Sequence, residues 1–278
     1  MKAKIKISKA NKKRAFYKRT KNMKIFDKKY LNLLREIAIS QFKLKDQSTF
    51  FGFVWSFLNP LIMLIILYIV FNHRFGQGVH HYAIYVLIGV IQYTYFANAT
   101  GKSMHVLYSM RTLTAEALFP KEILVLGSVF SSTFEFLLTM LLGVIISIAV
   151  GVKISWSVLL LPLVIMLEIL LVIWVSLILS CIFVFVRDIG HIYQVFLRVL
   201  FFITPIFYTM SLLGKGVAHT IVMLNPLTHL VGFSRTLILD GDPISIRNYL
   251  LLVFINLVLI FLTFKVFKQL EPNFAENV

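Results

Sequence analysis

The chain has 278 residues, 59% of them hydrophobic and only 14% charged, with a mean hydropathy of +0.85. A soluble domain would carry about 25% charged residues, so the composition excludes a water-soluble globule and predicts an all-α polytopic membrane protein. The net charge of +16 is lopsided: sixteen Lys/Arg and three acids (Asp27, Glu36, Asp46) precede Thr49, a net of +13, against twelve and nine after it, a net of +3. That distribution fits a cytoplasmic tail drawn to anionic headgroups and, with no recognition fold beside it, argues against nucleic acid.

Residues 1–27 read as a basic, partly disordered cytoplasmic arm. From 28 to 47 a helical period sets Leu31, Leu34, Ile37, Ala38 and Phe42 on one face and Lys29, Glu36, Ser40 and Lys43 on the other. Such a helix lies on the inner membrane surface or packs against a protein partner. Apolar runs then predict six spans, at about 50–71, 82–100, 123–150, 157–186, 190–210 and 249–267. Residues 28–278 thus form one membrane domain. The first run starts too far in for a cleaved signal peptide, so the mature chain is expected to keep its N-terminus. Six spans put both termini on one side, and the basic residues place that side in the cytoplasm.

The fifth run is broken. Pro205 interrupts it, and the following piece is cut by Asn225-Pro226. Neither fragment reaches the ~20 apolar residues of a span, and irregular backbone at membrane depth survives only where protein buries it or it lines water. A lining or gate hairpin at about 205–242 is the expectation, on the external side.

Chemistry-bearing motifs are sparse. Gly101-Lys102-Ser103 imitates the end of a phosphate-binding loop, but Phe96 stands where that loop needs glycine and no strand precedes it. The chain is therefore expected to bind no ATP itself. The histidines have no metal spacing, and no catalytic constellation is legible. Cys181, the single cysteine, reads as a small packing residue. Within the spans, Glu135 and Glu168 fall at similar depth and Arg198 about two turns into the fifth. A helix-tying Glu–Arg pair, a path lining and a proton relay all remain open. Tyr93, Tyr95, Phe96, Phe201, Phe207 and Tyr208 read as packing, or as rings along which a sugar polymer slides.

The order of these pieces resembles a family. It runs from the basic amphipathic helix through Trp55-Ser56-Phe57-Leu58-Asn59-Pro60, Phe119-Pro120-Lys121-Glu122, Arg187-Asp188 and Pro205-Ile206-Phe207-Tyr208 to Asn225-Pro226-Leu227. The chain from about Leu31 onward is similar to permease subunits of ABC transporters that export O-antigen, teichoic acid or capsular polysaccharide. The resemblance implies a six-span permease in the bacterial inner or plasma membrane, forming a homodimer around a channel. Each copy would bind a separate cytoplasmic subunit that holds ATP and Mg, with no cofactor on this chain. The resemblance puts a coupling helix at about 108–120, with Arg111, Glu116, Phe119 and Pro120, and lets Leu34 and Phe42 of the interface helix share that contact. Pro205, Asn225, Pro226 and Arg235 would belong to short re-entrant gate helices, and the substrate would be a lipid-linked glycan moving outwards. The basic arm is longer than the resemblance requires. Alternatives are an ABC permease for a small molecule or drug, an ion-coupled transporter using Glu135 and Glu168, and a membrane-bound transferase.

Overall fold

A computed structural model describes residues 28–46, 54–116 and 119–278. The basic arm at 1–27, the start of the first predicted span at 50–53, and residues 117–118 of the coupling segment lie outside the described residues. Everything described is helix or connecting turn.

Helix α1 (Lys28–Asp46) is followed by α2 (Trp55–Phe75), α3 (Tyr82–Ser109) and the short α4 (Arg111–Glu116). Next come α5 (Glu122–Ala149) and α6 (Leu161–Phe185), the latter preceded by a 3-10 turn over Trp156–Leu160. Helix α7 (Ile189–Ile203), α8 (Val217–Leu224), α9 (Pro226–Arg235), α10 (Ile246–Leu270) and α11 (Phe274–Asn277) complete the chain. The second predicted span, expected to end near 100, runs on to Ser109.

Helix α3 is the axle. It packs against α2, α5, α6, α7 and α9 and buries most of its side chains, Gln92, Tyr95, Thr100 and Ser103 among them. Those polar groups are why it is not one of the four described helices long and apolar enough to cross a membrane, namely α2, α5, the 156–185 unit and α10 with its tail. A bent pair, α8 with the α9 unit to Asp240 at 81°, makes a fifth if counted as one span. Of the expected fifth span at 190–210, the helix covers only Ile189–Ile203. Helix α7 holds 15 residues, about 22 Å at 1.5 Å per residue, against a hydrocarbon core of ~30 Å. It stops because Pro205 has no N–H to continue the ladder.

Outward faces are apolar: Ile65 and Ile69 on α2, Phe134 and Leu141 on α5, Phe254 and Phe261 on α10 are all exposed. An apolar surface of that extent needs lipid or another chain against it. Helix α1 sits on α5. Tyr30 is buried, Ile37 crosses α5 at Gly127, and the Phe42 ring meets Phe134 edge-on at 5.2 Å. Leu34, Ile37, Ala38 and Phe42 of the predicted stripe turn inward, Tyr30 and Gln41 join them, and only Leu31 of that stripe is exposed.

A Cβ on Gly127 would lie 2.6 Å from Ile37 Cγ2, closer than any packed pair allows. Gly127→Leu is expected to lift α1 off α5 at a cost of ~1–3 kcal/mol. Protease cleavage within 28–46 should accelerate, while Gly101→Ala, facing open space, should not change it.

Candidate functional site

The break after α7 is held by side chains from three helices. Thr204 turns its hydroxyl back to the Leu200 carbonyl at 2.8 Å and accepts Asn225 Nδ2 at 2.8 Å. Asn225 caps α9 by accepting the Leu227 N–H at 3.0 Å, with Pro226 in the first turn, the arrangement that starts helices best. Beyond Thr204 the chain is irregular, and each carbonyl finds a donor. Arg235 gives Nη1 to Pro205 O and Nη2 to Ile206 O, both at 2.7 Å, and Nε to Tyr85 O at 3.0 Å. Tyr82 and Tyr85 give their hydroxyls to Phe207 O at 2.7 Å and Tyr208 O at 2.9 Å. Tyr208 closes the set by donating back to Phe202 O and Ile203 O at 3.0 and 2.9 Å.

Arg235 is 6% exposed, meets no carboxylate among the described residues, and lies 3.4 Å from the Tyr85 ring centroid. Gly89 makes its room, since a Cβ there would lie 2.8 Å from Arg235 Nη2 and 3.2 Å from Ile206 Cα. Next to it, Gln92 Nε2 donates to Ser234 Oγ at 2.5 Å, a second tie between α3 and α9. The candidate gate residues Pro205, Asn225, Pro226 and Arg235 therefore come together as one clamp. Tyr82, Tyr85 and Gly89, which line up on one face of α3 and receive Arg235, were not singled out in the sequence.

Aromatic candidates divide. Phe207 stacks on Phe71 at 4.5 Å, and Phe201 meets Tyr93 edge-on at 5.0 Å. Tyr93 also donates its hydroxyl to the Leu197 carbonyl, tying α7 to α3. Phe96 is buried in the main core. Tyr95, stacked on Phe136 at 4.2 Å and bonded to Thr133 Oγ1 at 2.8 Å, borders a cleft of about 110 Å³ between α2, α3 and α5. Trp55, Asn59, Asn98, Ser132 and Glu135 share its lining.

Of the three readings open for Glu135, Glu168 and Arg198, the Glu–Arg pair is not formed among the described residues. Glu135 takes Lys102 Nζ at 3.5 Å, whereas Glu168 is fully buried with neither carboxylate oxygen partnered among the described residues. Arg198 is exposed on α7. Equal depth placed these groups at one height, but α7 turns Tyr193, Leu200 and Phe201 inward instead.

At the other end of α3, about 42 Å away for 28 residues, lie the coupling candidates. Arg111 is exposed on α4, Phe119 is half-buried beneath the Lys121 ammonium at 5.1 Å, and Pro120 is buried. Glu116 ends α4, and its side chain lies outside the description. Leu34 and Phe42 face α5. A network not visible in the sequence joins this end: Lys268 Nζ lies 2.6 Å from Glu122 and 3.3 Å from Glu271. The Arg187 guanidinium covers the Tyr108 ring at 4.6 Å. Among the described residues, no group of three or more His, Cys, Asp or Glu could hold a metal.

Comparison with known proteins bears on this arrangement. The family described as ABC-2 type transporter matches residues 33–239. The O-antigen export system permease protein RfbA of Myxococcus xanthus is 24% identical over 250 residues, covering 90% of this chain and 96% of that protein. A protein of the same description from Klebsiella pneumoniae is 24% identical over 246 residues, covering 88% and 94%.

Arg235→Lys leaves one ammonium where a planar fork served three carbonyls, and Arg235→Gln keeps two donors. Losing charge-assisted hydrogen bonds at a buried site costs ~2–4 kcal/mol. Both variants should melt lower than the parent in detergent, Arg235→Gln no better than Arg235→Lys; Arg198→Gln, on the exposed face, should melt within about 1 °C of it.

Proposed function

The chain belongs to the ABC-2 type transporter family, a transport component rather than an enzyme, and from that premise we propose that it is the channel-forming permease subunit of a polysaccharide exporter. Its substrate is a lipid-linked glycan of the O-antigen, teichoic acid or capsule kind, carried from the cytoplasm outwards. ATP hydrolysis belongs to a separate cytoplasmic subunit, and two copies of this chain enclose the path. Both termini are cytoplasmic, α1 and α4 meet the ATPase, and the clamp around Arg235 is the outer gate. Six crossings are made by α2, α3, α5, the 156–185 unit, α7 with the segment after it, and α10.

One observation carries the reading. Helix α7 is too short to span and is held by one edge through Gly190, Tyr193, Leu200 and Phe201. Its remaining surface mixes exposed Ile192, Val195, Phe196 and Phe202 with His191, Gln194 and Arg198. Lipid suits the apolar residues but not an exposed Arg198, and a wall shared between a partner copy and an aqueous path suits both. Aromatic rings beside hydroxyl and guanidinium donors fit a sugar polymer. The O-antigen permeases among the relatives support the same substrate class.

A second reading rests on Glu168, whose carboxyl is buried without a partner among the described residues. Buried ionisable groups in membranes often mark ion-coupled transport. The two readings separate in proteoliposomes with the cognate ATP-binding subunit. Export should depend on hydrolysis, and a hydrolysis-dead partner should abolish it. Glu168→Gln, which keeps volume and removes the titratable proton, should retain at least about half of the rate. Full loss in Glu168→Gln, with transport driven by a proton gradient alone, would transfer the assignment to ion coupling.

A further inference from the structure

We propose that the last residues, Glu271–Val278, brace α4 and thereby set the contact this chain makes with its ATPase. The inference rests on the reading of α4 as part of that contact, and it assigns a role to a segment that the coupling motifs do not include.

Helix α4 has only six residues, too few for a helix to persist in water without external support. Its support is largely not its own. Thr114 donates back to the Leu107 carbonyl at 2.8 Å, and Lys121 Nζ reaches the Leu113 carbonyl at 3.1 Å. Lys121 is in turn held by the tail: its backbone N–H donates to Glu271 Oε1 at 2.8 Å. Burial lowers the pKa of the Lys121 ammonium and Glu271 opposes that shift, so the carboxylate steadies the charge as well as the backbone. The other Glu271 oxygen takes Lys268 at 3.3 Å, and Lys268 takes buried Glu122 at 2.6 Å. Glu271 therefore ties together the end of α10, the start of α5 and the segment leading out of α4.

The tail is anchored as a core element is. Phe274 is completely buried, edge-on to Phe267 at 5.2 Å, in a cluster with Leu107, Leu124, Leu177 and Cys181. Helix α11 then lies directly against α4. Tyr30 of α1 reaches the same node: its hydroxyl is buried with no described partner, and burial, then Glu122 and Glu271, push its pKa up. Thus both elements assigned to the ATPase contact, α1 and α4, converge on carboxylates of α5 and the tail. A push on α4 reaches α10 and α5 through Glu271 as well as α3 through Thr114.

The test uses the full chain in phospholipid nanodiscs, read by hydrogen–deuterium exchange and by ATP hydrolysis of the added cognate ATP-binding subunit. Glu271→Gln removes the charge from both Glu271 contacts, the Lys121 N–H and the Lys268 ammonium, so amides in 111–116 should exchange about tenfold faster while those of α6 do not change. Glu271→Asp should restore part of the protection. Coupled hydrolysis should fall in Glu271→Gln as it does in Arg111→Ala. Should Glu271→Gln fail to fold, Phe274→Leu, which keeps the core apolar and loses the ring contact, is expected to give the same local loosening. Unchanged exchange at 111–116 in both variants, or equal acceleration in α6, overturns the brace. Faster exchange with hydrolysis intact, while Arg111→Ala lowers it, overturns the link to coupling. No effect of Arg111→Ala on hydrolysis means instead that α4 is not the ATPase contact.

Discussion

A polypeptide that leaves its helix inside a membrane exposes carbonyls that lipid cannot satisfy, and the stretch from Phe202 to Tyr208 answers that constraint group by group. Arg235 takes two of its carbonyls, Tyr82 and Tyr85 one each, and Tyr208 returns to the last turn of α7. Much of the bundle follows from keeping these donors in place. Helix α3 must run close enough to α9 for Gly89 to touch the guanidinium, and α9 must begin at Asn225, whose amide also holds Thr204. An unpaired buried guanidinium would be costly. Paired to three carbonyls and an aromatic face, it is a fixed point.

The two ends of α3 differ in kind. Around Tyr82 and Tyr85 the bonds are largely between side chains and irregular backbone, so the segment beyond α7 can rearrange only as a unit. Around Ser109 carboxylates join chain segments distant in sequence, Glu122 to the Lys268 ammonium and Glu271 to the Lys121 backbone N–H. Between the ends α3 is a single buried helix against α5 and α6. Helix α3 thus joins a clamp at one end to a charged node at the other.

How much of this was legible varies by element. The break at Pro205 and the cap at Asn225-Pro226 were readable because a missing N–H and a capping side chain act on their own neighbours. The amphipathic helix was readable in extent and, for Leu34, Ile37, Ala38 and Phe42, in face; Leu31 alone of the stripe turns out, and Tyr30 and Gln41 join the inward side. The Glu–Arg pairing failed because depth along a span gives height and not direction, and α7 points Arg198 away. Arg235 read as an external gate residue, yet its partners at Tyr85 and Ile206 lie far off in sequence, and no periodicity brings them together. The same distance hid Glu122–Lys268. The second span was ended at Thr100 because Lys102 opens a polar run, yet the helix continues to Ser109 with Lys102 and His105 exposed and Ser103, Met104, Val106 and Leu107 buried.

On the proposed reading, the irregular hairpin lies outside the membrane and the α4 node inside. Cys181, the single cysteine, can be replaced by Ala to give a blank background for Lys215→Cys and Leu113→Cys, both at exposed positions. In intact cells a membrane-impermeant maleimide should label position 215 fully and position 113 only after permeabilisation. Labelling of both from one side, or of 113 from outside, would rule out that placement of the hairpin and the node.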